Sequence, residues 1–347
     1  MADRELLKRL SDADAVAGRE REVRAILEQE LAGSCDRIEH DGLGSALFVS
    51  EGTEETPVRI MFAAHMDEVG FMVRHISDLG ILHLTVLGGV LDKSKYMQAV
   101  RVTCEDGTKV PGVLNAKVSG SGAVEDVYVD LGCESREDVE KLGVQIGDMV
   151  TFASSAHDIA LDKIAGKAMD DRSGCYVIAE ALKRLHAAPH AAEIWMAATS
   201  SEEVGTRGGK TAAAYANPDI FVAVDVASGD DLSRGFTNHR KLGHGCMLVH
   251  YDKTMVPHEG LLRHARALAR ERGIAIQLDM LGGGGTDGGT GHLEGAGRAG
   301  LVIGIPLRGC HGAWSVASAA DISSAIDLVC AIATSFDRNT YQSVIEF

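Results

Sequence analysis

The chain is short of positive charge. Its 347 residues carry 34 Lys and Arg against 50 Asp and Glu, a formal net charge of −16. No basic run interrupts that excess, so the surface repels nucleic acid and anionic membrane, and neither is expected as a partner. An apolar run long enough to span a bilayer is also missing. The opening residues, Met1-Ala2-Asp3-Arg4-Glu5, lack the basic-then-apolar layout of a secretory leader. Cysteine is scattered at 35, 104, 133, 175, 246, 310 and 330, an odd set without a Cys-x-x-Cys pair. That pattern argues against a disulfide framework or a zinc knuckle and suits reduced thiols in the cytoplasm. Internal repeats and low-complexity tracts are absent as well. What remains is a globular composition, 45% apolar and 24% charged, with core enough for one large domain or two ordinary ones.

Periodicity divides the chain into three stretches. Glu20 to Leu31 has the apolar stripe of a helix, with Val23, Ile26, Leu27 and Leu31 on one face and Gly33 as a stop. Arg59 to Ala64 is a short apolar run that reads as a buried strand. From about Met72 to Lys163 helical period fades, and Val, Thr, Gly and Asp dominate, with turns at 105–107 and 88–89 and a turn into a strand at 146–150. This stretch is expected to be a small β-rich domain, 72–163, inserted into a second domain made of 1–71 and 164–347. In the latter, strands at 193–199, 220–225, 274–278 and 301–305 alternate with helices beginning near 175 and at 210–216, 261–272 and 322–336. Such alternation predicts an α/β fold with a mostly parallel sheet covered on both faces.

Binding sites in open α/β sheets form beyond the carboxyl ends of the strands. The strand at 59–64 ends in His65-Met66-Asp67. In extended chain, residues i and i+2 share a side, so Asp67 is placed to hold one ring nitrogen of His65 and leave the other for a metal. Alone, a His-x-Asp at a strand end is an ordinary polar turn. Other strand exits, however, carry Asp170-Asp171, Glu202-Glu203, Asp225 and His311. Each has a plain reading as a cap, a turn or a surface imidazole; together they form a carboxylate and imidazole set without thiolate. That set suits zinc, cobalt or manganese in a hydrolytic site. Two such ions, about 3.5–4 Å apart, need a shared carboxylate.

These motifs resemble the tetrahedral-aminopeptidase family, the glutamyl aminopeptidase group once also labelled as cellulases. The residues that carry the resemblance are Ala64-His65-Met66-Asp67-Glu68-Val69-Gly70, Gly166-Lys167-Ala168-Met169-Asp170-Asp171-Arg172, Ser201-Glu202-Glu203-Val204-Gly205, Val224-Asp225, Gly284-Gly285-Thr286-Asp287 and His311, in the family's order over nearly the whole chain. The resemblance implies an α/β/α sandwich of metallo-exopeptidase type with a small inserted β-barrel-like domain. It implies two divalent metals per subunit, zinc or cobalt, with manganese a third choice. His65 and Asp225 would end one metal's shell and Glu203 and His311 the other's, with Asp170 shared. Asp67 would orient His65, Glu202 would be the general base, and the Asp170–Asp171 peptide bond would be cis. Short peptides would be the substrates, and the insert would dimerise the chain into a homo-oligomer, a dodecamer built from dimers.

Two segments depart from the family's pattern: His311-Gly312-Ala313-Trp314-Ser315 and Lys241-Leu242-Gly243-His244-Gly245-Cys246. They bear on substrate preference and leave the metal ligands intact. Lys241, His244, His258 and His292 lean the pocket toward acidic or polar side chains. An N-acyl-amino-acid deacylase on the same metals is the alternative enzyme, and a catalytically inactive metal-binding assembly protein the alternative of another class. A glycosidase using Glu202 and Glu203 fits poorly, because adjacent residues in extended chain point apart and its two carboxyls must face each other across a bond.

Overall fold

Apolar runs of five to seven residues can bury both faces only inside a covered sheet. The computed structural model describes residues 4–229 and 240–345. Among them an 11-stranded mixed sheet has at its centre four parallel neighbours, Glu193–Thr199, Arg59–His65, Ile220–Ser228 and Ala299–Arg308. The parallel sheet expected from the sequence is this centre. Beyond it the order continues antiparallel, through Ala46–Ser50 and Arg37–His40 on one flank and Ser315–Ser318, Lys163–Gly166 and His157–Ile159 on the other. Cys246–Val249 pairs with Ala299–Arg308 off that path and carries Ile276–Asp279.

Side chains alternate across these strands with period two. Ile60, Phe62 and Ala64 join Ile220, Val222 and Val224 in one core, against the helices Arg4–Asp12, Arg21–Leu31, Met169–His186, Glu259–Arg272 and Ala319–Ala333. Met61, Ala63, Phe221 and Ala223 face the other way, onto the helix Arg207–Ala216 through Ala212, Ala213 and Ala216. The small residues on that helix let it approach closely. A fully buried Phe or Leu contributes about 1.5–3 kcal/mol, so burial on both faces holds the central strands firmly between the two helical layers.

The second unit is a closed antiparallel barrel of Gly70–Ile76, Ile81–Leu87, Val124–Asp130, Lys109–Val118, Gln98–Thr103 and Met149–Phe152. Phe71, Val73, Leu82, Val100, Val102, Leu114, Val129 and Phe152 fill it, and the rings of Phe71 and Phe152 meet edge to face at 5.8 Å. His157–Ile159, within the stretch expected to be inserted, pairs instead with Lys163–Gly166 and so belongs to the sheet. One short helix, Arg136–Lys141, lies in the barrel segment and is capped by the Ser135 hydroxyl on the Asp138 amide; six residues are too few to display a helical period.

The chain therefore leaves the sheet at His65, builds the barrel and returns just before Asp170. Two fully buried cations bind the two ends together. Lys167 Nζ donates to Glu68 Oε1 at 2.5 Å, and Arg172 donates to the Met66 carbonyl at 2.7 Å and to Glu68 at 3.2 Å. Buried charges stay in place only when paired and hydrogen-bonded in this way. The result is that His65 and Asp170, remote in sequence, face each other.

Candidate metal centre

All but one of the expected ligands sit at or just beyond the end of a strand or the start of a helix. His65 closes the strand Arg59–His65. Asp170 lies at the start of the helix Met169–His186, where the Asp170–Asp171 bond is cis and both residues have non-helical backbone angles. Glu202 and Glu203 follow the strand Glu193–Thr199 after Ser201, whose φ is +60°. Asp225 stands inside the strand Ile220–Ser228, three residues before its end, and not at its last position as the sequence reading had it. His311 follows the strand Ala299–Arg308 with φ of +58°.

Asp170 is the hub. Its Oδ1 lies 3.2 Å from His65 Nε2, and its Oδ2 lies 3.2 Å from His311 Nε2. Glu203 Oε2 is 3.7 Å from His311 Nε2, and Glu202 Oε2 is 4.0 Å from His65 Nε2. Donor atoms of His65, Asp170 and Glu203 lie within 4.8 Å of one another, as do those of His65, Asp171 and Asp225, and those of Asp170, Cys310 and His311. All seven residues predicted for the site are thus brought together. Gly88 and Gly89 of the barrel press against them: a Cβ on Gly89 would stand 2.9 Å from His311 Nδ1 and one on Gly88 3.1 Å from Glu203 Oε2.

Asp67 meets one ring nitrogen of His65 as expected, more closely through its main chain than through its carboxylate. His65 Nδ1 is 2.9 Å from the Asp67 carbonyl oxygen and 3.5 Å from its carboxylate. The carboxylate also accepts the amides of Glu202 at 2.9 Å and Glu203 at 3.0 Å. One residue therefore sets the His65 ring with its main chain and the Glu202-Glu203 turn with its side chain. Sequence reasoning also missed three neighbours. Asp171 Oδ2 accepts the His65 amide at 3.2 Å; Glu20 accepts the Ser201 amide at 3.0 Å and the Ser200 hydroxyl at 2.8 Å; Cys310 Sγ lies 2.7 Å from Asp170 Oδ2. The doubled Asp and the Cys-His pair were signals for the first and third. Glu20 gave none, being distant in sequence. His258 and His292, considered for a substrate pocket, bond helix ends, His258 to the Leu261 amide and His292 to the Gly288 carbonyl.

Electrostatics show what the cluster lacks. Burial pushes Glu203 up to about 8, with Asp170 adding to it, and pushes Asp225 up to about 7. Burial raises Glu202 well above the carboxylate range, helped by Asp225, Asp287 and Glu203, and it raises Asp171 likewise, beside Asp225. The hydrogen bond to Asp170 lifts His311 to about 9. His65 is raised as well, since Asp170 and Asp67 outweigh its burial, and the same pairs hold Asp170 far below its usual range despite burial. Seven carboxyl groups, counting Asp67 and Asp287, against two imidazoles is an excess of buried acid that protons or bound cations relieve. Glu203 Oε1 is buried with no hydrogen-bond partner among the described residues, an unsatisfied acceptor on a side chain whose other oxygen faces His311. Both observations fit divalent metal ions.

The whole arrangement has known relatives. The family model for M42 glutamyl aminopeptidases matches residues 44–328. A lysyl aminopeptidase of Pyrococcus furiosus is 30% identical, over 96% of this chain and 97% of its own. Among solved structures, a TET aminopeptidase from a marine sediment archaeon of the Thaumarchaeota superposes with a TM-score of 0.93 at 34% identity, covering 98% of this chain and 99% of that one. The TET1 peptidase of Pyrococcus horikoshii, described as assembling into a tetrahedron or a large octahedral shell, superposes with a TM-score of 0.85 at 26% identity, covering 96% and 99%. Sheet, barrel and family match agree, and the chain belongs to the M42 glutamyl aminopeptidase family of peptidases.

Proposed function

We propose that the chain is a dinuclear metal-dependent aminopeptidase that removes N-terminal residues from short peptides, with Glu202 as general base. The observation that carries this reading is the division of the Asp170 carboxylate, one oxygen toward His65 and the other toward His311. His65 and Asp225 would complete one metal's protein shell and Glu203 and His311 the other's. Zinc or cobalt suits such donors, and manganese is the third candidate. When bound, the pair supplies Lewis acidity toward the scissile carbonyl and toward water. The side chains do the rest. Glu202 takes a proton from the attacking water and returns it to the leaving amine. Burial among Asp225, Asp287 and Glu203 raises its proton affinity, which counters the acidifying pull of two neighbouring cations. Asp67 keeps the Glu202 main chain fixed while this happens.

Metal uptake should strengthen with pH, and the sign follows from the metal-free centre. Glu203 holds its proton to about 8, Asp225 to about 7 and His311 to about 9. Metal needs all three unprotonated, so binding near neutrality expels protons. Titration calorimetry at successive pH values is expected to show tighter binding from about pH 6 to 9, with proton release that shrinks at the upper end. An affinity indifferent to pH would contradict the assigned ligands.

The barrel segment, 72–163 as read from sequence, is proposed as the dimerisation module, with dodecamers built from dimers in the cytoplasm. The shell-forming Pyrococcus horikoshii relative and the seven free cysteines support this. Substrate preference does not carry over: the family is described as glutamyl and one relative as lysyl, which are opposite charges. One experiment tests the whole reading. Gel-filtration fractions monitored by light scattering are assayed against a panel of aminoacyl-p-nitroanilides and their N-acetylated forms. Activity on free amino termini should peak with metal in an assembly larger than a dimer. Cleavage confined to N-acylated amino acids would favour the deacylase instead, and monomer alone would refute the assembly.

A further inference from the structure

Cys310 immediately precedes His311, and the two side chains converge on one atom. Cys310 Sγ lies 2.7 Å from Asp170 Oδ2, and His311 Nε2 lies 3.2 Å from the same oxygen. Neighbouring residues in extended chain point apart. Here His311 passes through the left-handed region, φ +58°, and both side chains reach the same carboxylate. Donor atoms of the three residues lie within 4.8 Å of one another. A second observation points to a ligand at this place. Glu203, whose side chain is 6% exposed, directs Oε2 to within 3.7 Å of His311 Nε2 and leaves Oε1 buried without a hydrogen-bond partner among the described residues. Thiols elsewhere serve the main chain: those of Cys35, Cys104, Cys175 and Cys330 donate to backbone carbonyls. The Cys310 thiol meets a carboxylate in the centre.

We propose that Cys310 Sγ is a ligand of the metal on the His311 side of Asp170, which makes the centre chemically asymmetric. That side then offers one sulfur, one nitrogen and two carboxylates, from Cys310, His311, Asp170 and Glu203. The His65 side offers nitrogen and oxygen only. Sulfur favours zinc or cobalt over manganese, so the two positions differ in the ion they prefer. On ligation the metal–sulfur bond forms, and the thiol proton, now shared with Asp170, leaves to water. The inference rests on the dinuclear reading above and adds a donor type to it.

Cobalt(II) tests it by spectroscopy and not by turnover. The full chain and its Cys310→Ser variant are stripped, reloaded with cobalt(II), counted by elemental analysis and scanned in the near ultraviolet. The expected result is two cobalt ions per chain in both proteins, with a sulfur-to-cobalt charge-transfer band in the parent that is lost in Cys310→Ser. Two bound cobalt ions without that band in the parent would overturn the thiolate ligand while leaving the dinuclear site standing. No cobalt uptake at all would overturn both. A band that survives in Cys310→Ser would place the sulfur elsewhere and overturn the assignment too. Where the variant fails to fold, alkylation of the parent with and without cobalt, mapped by peptide, decides the matter: protection of Cys310 by the metal supports the thiolate ligand, and equal labelling overturns it.

Discussion

Glu202→Gln is expected to keep both metals and the assembly while turnover falls by about 10²- to 10⁴-fold, the usual contribution of a general base. The substitution preserves size and removes only the ability to take a proton. The Asp67 carboxylate holds the Glu202 amide at 2.9 Å whatever the side chain at 202. Glu203→Gln should behave in the opposite order. Its Oε2 faces His311 and its Oε1 has no partner among the described residues, so the lost charge is felt as weaker metal binding, partly restored by excess metal. Elemental analysis alongside turnover separates the two. If Glu202→Gln loses metal and Glu203→Gln stays loaded but inactive, the two roles are exchanged.

Asp170→Ala is expected to remove most of the metal and nearly all activity. Among the described residues it is the one group that meets both imidazoles, at 3.2 Å each. Without it the two halves of the centre share no donor, and each imidazole loses its nearest carboxylate oxygen. Stability should follow. A ligand present at a hundred times its Kd adds about 2.7 kcal/mol to the folded state, and the variant forgoes that contribution. Its unfolding midpoint should therefore match that of parent protein treated with chelator, and added metal should not raise it. Two tightly bound metals per chain in Asp170→Ala would reject the shared-ligand assignment.

The cluster of candidate ligands was legible because its residues hang on the most regular parts of the chain. Runs such as 59–64 and 193–199 announce themselves as buried strands, and the rule that sites lie beyond strand ends did the rest. Ser315–Ser318 and Cys246–Val249, four residues each, are too short for any period to show; so is Ala46–Ser50, although it is buried throughout. The helix Arg4–Asp12 buries Leu6, Leu7 and Leu10, a spacing that was present and went unread. Asp67 exposes a different gap. Period two places its side chain on the side of His65 correctly, but no local rule says that two amides more than 130 residues further on will share the carboxylate. Cys310 fell to composition: counted among scattered thiols, it was never weighed as the neighbour of His311.

The grip of Asp67 on the Glu202 and Glu203 amides also bears on how this scaffold can diverge. The contact is made to main-chain N–H groups, so any residue but proline at 202 preserves it. A lineage could therefore discard the proposed general base in one substitution and keep the fold, the candidate ligands and the barrel undisturbed. A binding or scaffolding descendant lies a single step from the enzyme, whereas recruiting a new base at another position would require rebuilding the turn that Asp67 holds.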